Sequence, residues 1–354
     1  MSILKEVMKY IPEEKISDAG YEGANIVLYT KDEKFFLDNG SCIKEAVDAV
    51  KKRIELRPDP EITLDQDKAK KEINKILPEE AKAEQIIFDP QRSIVIIESE
   101  KPGLAIGKQG SLLRQIKEKT LWVPIIRRTP ALRSKIVEDI RAVLYENSDY
   151  RKKFLNKTGH RIYDGWIRGK KNEWIRLTYL GSGRQVGRSS ILLQTPESRI
   201  LLDCGIDVTK QGEEAYPHMD APEFNVNDID AIIVSHAHLD HVGFIPYLFK
   251  YGYRGPVYCT APTRDIMSLL LLDYVKIMRN EAKDPIFEIE HIKEMVKHTI
   301  VLDWEEVTDV TPDVRITLYN SGHMLGSSMI HLHVGNGLHN ILYTGDVKSE
   351  NKLA

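Results

Sequence analysis

The densest concentration of chemically capable side chains is His236-Ala-His238-Leu-Asp240-His241, three imidazoles and a carboxylate within six residues. In a loop at a strand end, His236 and His238 can converge on one ion while Asp240 and His241 project toward a second position. Nitrogen and oxygen donors at this density suit zinc, with iron or manganese compatible by ligand type. A lone histidine is commonly a packed core residue, but three beside an aspartate have little structural use. The apolar run Ala231-Ile-Ile-Val-Ser235 just before them reads as a strand buried on both faces, and it delivers the chain to the loop.

A second motif is Gly107-Lys108-Gln109-Gly110. Two glycines without Cβ let a helix-turn-helix junction approach a sugar-phosphate chain, the flanking groove receives a few unpaired bases, and Lys108 adds a point charge. Taken alone the motif is an ordinary turn. Here Ile106 precedes it and an amphipathic helix through Leu112, Leu113 and Ile116 follows. Strand-like runs at 84–88, 93–98 and 121–126 surround it, with helices at 66–77 and 131–145. The order helix, strand, strand, helix, Gly-x-x-Gly, helix, strand resembles the KH domain of the prokaryotic type (type II), over about residues 62–147. That resemblance implies single-stranded RNA as the partner of Gly107, Lys108, Gln109 and Gly110.

Both motifs need scaffolds. A chain of 354 residues exceeds one usual domain, and 42% hydrophobic with 29% charged residues excludes disorder throughout. Fifty Lys and Arg against 53 Asp and Glu leave a net charge of -3, so a nucleic-acid surface has to be local. Three scattered cysteines, Cys42, Cys204 and Cys259, provide neither a disulfide framework nor a thiolate zinc finger. They point to a reducing compartment. With no signal-peptide pattern and no apolar run near ~18 residues, the expected location is the cytoplasm.

Residues 1–61 read as a small α/β unit: a helix at 3–10, strands at 25–29 and 34–37, and a helix at 42–54. Asp38-Asn39-Gly40-Ser41 reads as a turn and helix start, and Arg57-Pro58-Asp59-Pro60 as a linker. This unit is KH-like but has no Gly-x-x-Gly. Residues 148–173 form a basic bridge, rich in Arg151, Lys152, Lys153, Lys157, Arg161, Arg168, Lys170 and Lys171 and interleaved with Tyr150, Phe154, Tyr163 and Trp166. It reads equally as a solvated linker and as a phosphate-tracking surface. From 174 onward come a strand at 175–180, a glycine loop from Gly181 to Gly187, a hairpin of 191–193 with 199–202, and Asp203-Cys204-Gly205.

The metallo-β-lactamase superfamily carries the same His-x-His-x-Asp-His pattern, and the resemblance continues. Asn320-Ser-Gly322-His323-Met-Leu-Gly326-Ser327-Ser328 looks like its third motif and Tyr343-Thr-Gly345-Asp346 like its fourth. Leu180-Gly-Ser-Gly-Arg-Gln-Val-Gly-Arg-Ser189 with Leu202-Asp-Cys-Gly205 resembles the β-CASP nucleases of the cleavage and polyadenylation specificity factor type. KH modules in front of that nuclease are the arrangement of its archaeal members, implicated in RNA 3'-end formation and transcription termination.

The resemblance implies an α/β fold, an αββα metallo-β-lactamase sandwich incomplete at the C-terminus, over 174–354, preceded by two small α/β KH-like domains. It implies two zinc ions. His236, His238, His323 and Asp346 hold the first; Asp240, His241 and Asp346 hold the second, with Asp240 and His241 also catalytic. Asp203 orients a ligating histidine or the glycine loop. The implied reaction is endonucleolytic RNA hydrolysis, with 5'-to-3' exonucleolytic cutting alongside it, leaving a 5' phosphate and a 3' hydroxyl. Implied partners are RNA polymerase or a complementing C-terminal segment, and a second copy in a homodimer of the full-length form.

The family inserts its cap domain after the fourth motif and places further ligands beyond it, whereas this sequence ends at Ala354. The expectation is therefore a piece of a longer protein or one half of a split enzyme, weak as a nuclease alone because the second site is short of a ligand. The rival is a non-catalytic RNA-binding scaffold of the same family, whose usual sign is a degraded histidine motif; here the motif is intact. His160, His218, His291, His298, His331, His333 and His339 match no motif and read as packing or surface residues.

Overall fold

A computed structural model describes residues 3–38, 41–130, 133–164, 174–335 and 337–348. The chain divides into two compact units, one of residues 1–138 and 144–160, the other of 139–143 and 161–354.

The first unit repeats one topology. Helix α1 (Ile3–Val7), strands β1 (Asp18–Glu22) and β2 (Asn25–Thr30), helices α2 (Glu33–Leu37) and α3 (Ser41–Val50), and strand β3 (Ile54–Pro58) make a sheet of order β1-β2-β3. Then α4 (Gln66–Ile76), β4 (Ala83–Asp89), β5 (Ile94–Ser99), α5 (Pro102–Ile106), α6 (Ser111–Thr120) and β6 (Val123–Arg128) make a sheet of order β4-β5-β6. In each, the first pair is antiparallel and the last parallel. Helices α7 (Lys135–Glu146) and α8 (Ser148–Tyr163) follow.

Three local expectations change. Residues 34–37, read as a strand, belong to α2: the Asp32 side chain accepts from Phe35 N at 2.9 Å as an N-cap, and Phe36 is buried. Arg57 and Pro58, read as linker, end strand β3, where proline is tolerated because the strand is an edge. Arg57 is held there by charge: its guanidinium meets the Glu22 carboxylate at 2.6 and 2.9 Å, and Arg92 of the second module reaches the same carboxylate at 2.7 Å. The basic bridge begins as helix α8, with Phe154, Leu155, Thr158 and Ile162 buried. Asn156 Oδ1 accepts from Tyr21 N at 2.9 Å, and Leu155 O from Gly23 N at 3.0 Å, so α8 packs on the β1–β2 hairpin. Trp166, Arg168, Lys170 and Lys171 of the bridge lie outside the described residues, as do Asn39 and Gly40 of the expected turn.

In the second unit, β7 (Arg176–Gly181), β8 (Ser190–Gln194), β9 (Arg199–Leu202), β10 (Ala231–Ile233), β11 (Val257–Cys259) and β12 (Thr299–Val301) form a six-stranded sheet in the order β12-β11-β10-β9-β8-β7. Helices α9 (Leu239–Val242), α10 (Ile245–Lys250), α11 (Ala261–Asn280) and α12 (Ile289–His298) are interspersed. Strands β13 (Thr308–Thr311), β14 (Val314–Asn320), β15 (Ser328–Val334) and β16 (His339–Tyr343) make an antiparallel sheet.

Period-two alternation decides the layers. On β8 to β10, Leu192, Leu201 and Ile232 point into a core with Val242, Leu248, Met267, Leu271 and Met295 of the helices. Ile191, Leu193, Ile200, Leu202 and Ile233 point the other way, against Ile316, Leu318, Ile330 and Leu332 of the smaller sheet. Helices, six-stranded sheet and four-stranded sheet stack in that order, the α, β and β layers of the expected sandwich. Among the described residues no helix is long and apolar enough to cross a membrane.

Candidate metal centre

The parallel strand β10 runs out at Ile233, and Val234-Ser235 carry the buried chain to His236 at the sheet's edge. Asp240 and His241 fall on the short helix α9, while His323 sits in the loop between β14 and β15 and Asp346 just after β16. Both sheets therefore contribute to one locus. One ligand atom from each of His236, His238, His323 and Asp346 lies within 4.8 Å of all the others.

The contacts identify what the locus can hold. His238 Nδ1 stands 3.1 Å from His236 Nε2 and 3.2 Å from His323 Nε2. Asp346 Oδ2 is 3.8 Å from His236 Nε2 and 3.5 Å from His323 Nε2. Ligands of a tetrahedral zinc ion, at bonds of about 2.0–2.1 Å, stand about 3.3 Å apart, so the donor set fits such an ion. The other oxygen of Asp346, Oδ1, lies 3.6 Å from His241 Nε2, and Asp240 Oδ2 lies 3.6 Å from the same nitrogen. The carboxylate of Asp346 thus faces two separate positions, one with each oxygen.

His241 is oriented from behind. Its Nδ1 donates to Asp203 Oδ2 at 2.7 Å, which fixes the tautomer and leaves the Nε2 lone pair facing Asp240 and Asp346. Asp203 has no exposed surface. It accepts from Ser235 N at 2.7 Å on Oδ1, and from Ser235 Oγ at 2.6 Å and Tyr343 OH at 2.7 Å on Oδ2. Burial opposes its charge, but His241 and the Ser235 donors outweigh that and hold its carboxyl below the ordinary range. Burial likewise opposes a charged His241, and the neighbouring Asp203 overcomes it and lifts its pKa. His236, buried and beside His241, is pushed down to about 4, which keeps its ring neutral and ready to donate a lone pair.

The backbone here is close-packed. Cys204 N donates to His241 O at 2.7 Å, and a Cβ on Gly205 would stand 1.8 Å from the Asp240 carbonyl oxygen. Glycine is what lets the Asp203 turn lie against the histidine loop. Ser189, Ser235 and Tyr343 were not singled out from sequence, since hydroxyl residues flanking a motif carry no pattern of their own. His331 and His333 lie on β15, half-buried, and are not among these ligands.

The glycine loop of the second KH module lies in the first unit. Gly107 (φ 75°), Gln109 (φ 50°) and Gly110 (φ 74°) are left-handed, joining α5 to α6 with Lys108 and Gln109 exposed. A side chain on Gly107 would also meet Leu112 Cγ at 2.8 Å. The glycine lets the loop lie close against the start of α6, while Lys108 and Gln109 stay in solvent.

Comparison with known proteins follows the same division. Residues 192–352 match the family described as metallo-beta-lactamase superfamily domain. Residues 1–63 match the KH domain of transcription termination factor FttA, and residues 68–120 match the KH domain. Transcription termination factor FttA of Methanothermobacter thermautotrophicus is 49% identical over 355 residues, covering 98% of this chain and 55% of that protein. That of Methanocaldococcus jannaschii is 48% identical over 351 residues, covering 99% and 55%. The chain spans about half the length of the curated relatives it matches. Among solved structures, a metallo-beta-lactamase of Cronobacter sakazakii aligns with TM-score 0.34 and 22% identity over 48% of this chain and 60% of that one.

Proposed function

This chain is a homologue of the archaeal transcription termination factors, with KH domains ahead of a metallo-beta-lactamase superfamily domain, and from that premise we propose that it is the RNA-recognising and metal-binding part of a zinc-dependent ribonuclease acting in RNA 3'-end formation and transcription termination. The observation that carries this reading is Asp346, whose two oxygens face two histidine-bearing positions at 3.5 and 3.6 Å.

In this reading His236, His238, His323 and Asp346 would hold one ion, and Asp240, His241 and Asp346 the second. Divalent ions held there would lower the pKa of a bound water toward about 7 and neutralise charge that develops on phosphate oxygens. The residues of the chain supply position. Asp203 keeps the proton of His241 on Nδ1, so that Nε2 stays available. His236 stays neutral through burial. Lys108 and the glycine loop bind the backbone of single-stranded RNA in the first unit. RNA polymerase and a second copy of the chain are the proposed partners.

The test is cleavage of a 5'-labelled single-stranded RNA by the whole protein loaded with zinc. The expected result is cutting that a chelator abolishes and that Asp240→Asn abolishes as well. RNA bound to the metal-loaded protein and left intact would decide for the non-catalytic scaffold.

A further inference from the structure

Along its glycine loop the second unit contains a trough that none of the assignments above uses. Two cavities of about 680 and about 590 Å³ share Gln185, Arg188 and His218 as walls, each within the about 300–1,000 Å³ usual for ligand sites. The end nearer β7 is lined by Tyr179, Arg184 and Arg188 along the glycine loop and holds no carboxylate. The far end holds Lys210 and Tyr216 but also Glu213, Glu214 and Asp220.

The trough is built rather than incidental. The Arg188 guanidinium donates to Tyr216 O at 2.8 Å, and His218 N donates to Leu180 O at 2.7 Å, which ties the two walls together. Arg184 is exposed, and among the described residues no carboxylate pairs with it. Tyr179 presents a ring that is 59% exposed. Arg188 is followed directly by Ser189, whose N–H donates to Asp240 O at 2.7 Å and whose hydroxyl lies 3.1 Å from Tyr343 OH. The arginine end is therefore joined, one residue along the chain, to Ser189, which touches groups that frame the metal centre.

We infer that this trough holds the stretch of single-stranded RNA that leads into the metal centre, with Arg184 taking a backbone phosphate, Arg188 holding the wall through Tyr216 and Gln185, and Tyr179 stacking a base; the inference deepens the ribonuclease reading and rests on it. Guanidinium groups bind phosphate through paired, charge-assisted hydrogen bonds, and an exposed ring accepts any base by its face. The three carboxylates of the far end repel phosphate. They restrict the backbone to the arginine end and leave the far end for a base.

The test uses the whole protein carrying Lys108→Asp and Gln109→Asp, so that the glycine loop no longer dominates binding. Adding Arg184→Glu should weaken a ten-nucleotide single-stranded RNA at least tenfold further and lower the salt slope of binding by about 0.7 for each phosphate no longer neutralised. Arg184→Lys should keep most of the affinity. RNA carrying 4-thiouridine should crosslink to residues 179–188. Unchanged affinity in Arg184→Glu, or crosslinks absent from 179–188, would overturn the inference while leaving metal-dependent cleavage intact. Binding through Arg184 with no cutting under any metal would overturn the ribonuclease reading and uphold the trough.

Discussion

Tyr343 donates its phenolic proton to Asp203 Oδ2 at 2.7 Å, on the oxygen that also accepts from His241 Nδ1 at 2.7 Å. A residue of the smaller sheet thereby bears on a histidine of helix α9, just past the larger sheet's β10. Asp203→Asn should cost about 3 kcal/mol, because it leaves buried donors short of a charged acceptor. It should also weaken the second ion by about 10–100-fold while sparing the first. Tyr343→Phe should cost about 1.5 kcal/mol and weaken the second ion in the same direction. Urea unfolding and metal titration measure both.

For the first ion, His238→Ala removes the nitrogen that contacts both His236 and His323. The purified variant should carry about one fewer tightly held divalent ion than the parent, by elemental analysis. Equal metal content in a folded variant would contradict the assignment of this site.

The fold was legible where apolar period and motif coincide. The run before His236 reads as a buried strand because it is one, at the centre of the parallel part of the larger sheet. β1 and β3 were not legible, since Asp18-Ala-Gly-Tyr-Glu22 alternates poorly and β3 owes its place to the ion pair of Arg57 with Glu22. Residues 34–37 misled because Phe35-Phe36-Leu37 looks like a strand, although Asp32 gave the helix its start signal. Of the site, the histidine cluster announces its chemistry through density alone. Asp203 needed the family resemblance, and Ser189, Ser235 and Tyr343 needed the fold, since their roles exist only when the two sheets meet.

Replacing Lys108 and Gln109 together by Asp puts two negative charges on the exposed, left-handed turn between α5 and α6. Single-stranded RNA affinity should fall at least tenfold with the melting temperature unchanged. Fluorescence anisotropy beside a thermal melt checks both. Equal affinity would move RNA binding elsewhere on the chain.

Glu22→Gln should destabilise the first unit by about 3–5 kcal/mol, because Arg57 and Arg92 lose a shared buried carboxylate. Burial raises the Glu22 pKa, and Arg92 and Arg57 outweigh it and hold it well below the ordinary value. A depressed carboxylate contributes its stability fully above its unfolded pKa of about 4.3, and the contribution drains away as pH falls from there toward the folded value. Unfolding at pH 6 and pH 3 should therefore differ by more in the parent than in Glu22→Gln. Hydrogen exchange in residues 18–30 should report the same loss.

That carboxylate also sets where the protein can be cut. The seam near residue 62 looks like a natural place to divide the two KH modules, yet a fragment beginning there would retain Arg92 with Asp89 at 3.4 Å but without the Glu22 carboxylate it meets at 2.7 Å. One ending there would retain Glu22 without one of its two arginines. Dissection at the seam takes one partner from each of these buried groups, so the two modules are best expressed together. The first module, which has no Gly-x-x-Gly, thus has a use that its own surface does not disclose: it supplies a buried carboxylate to an arginine of the second.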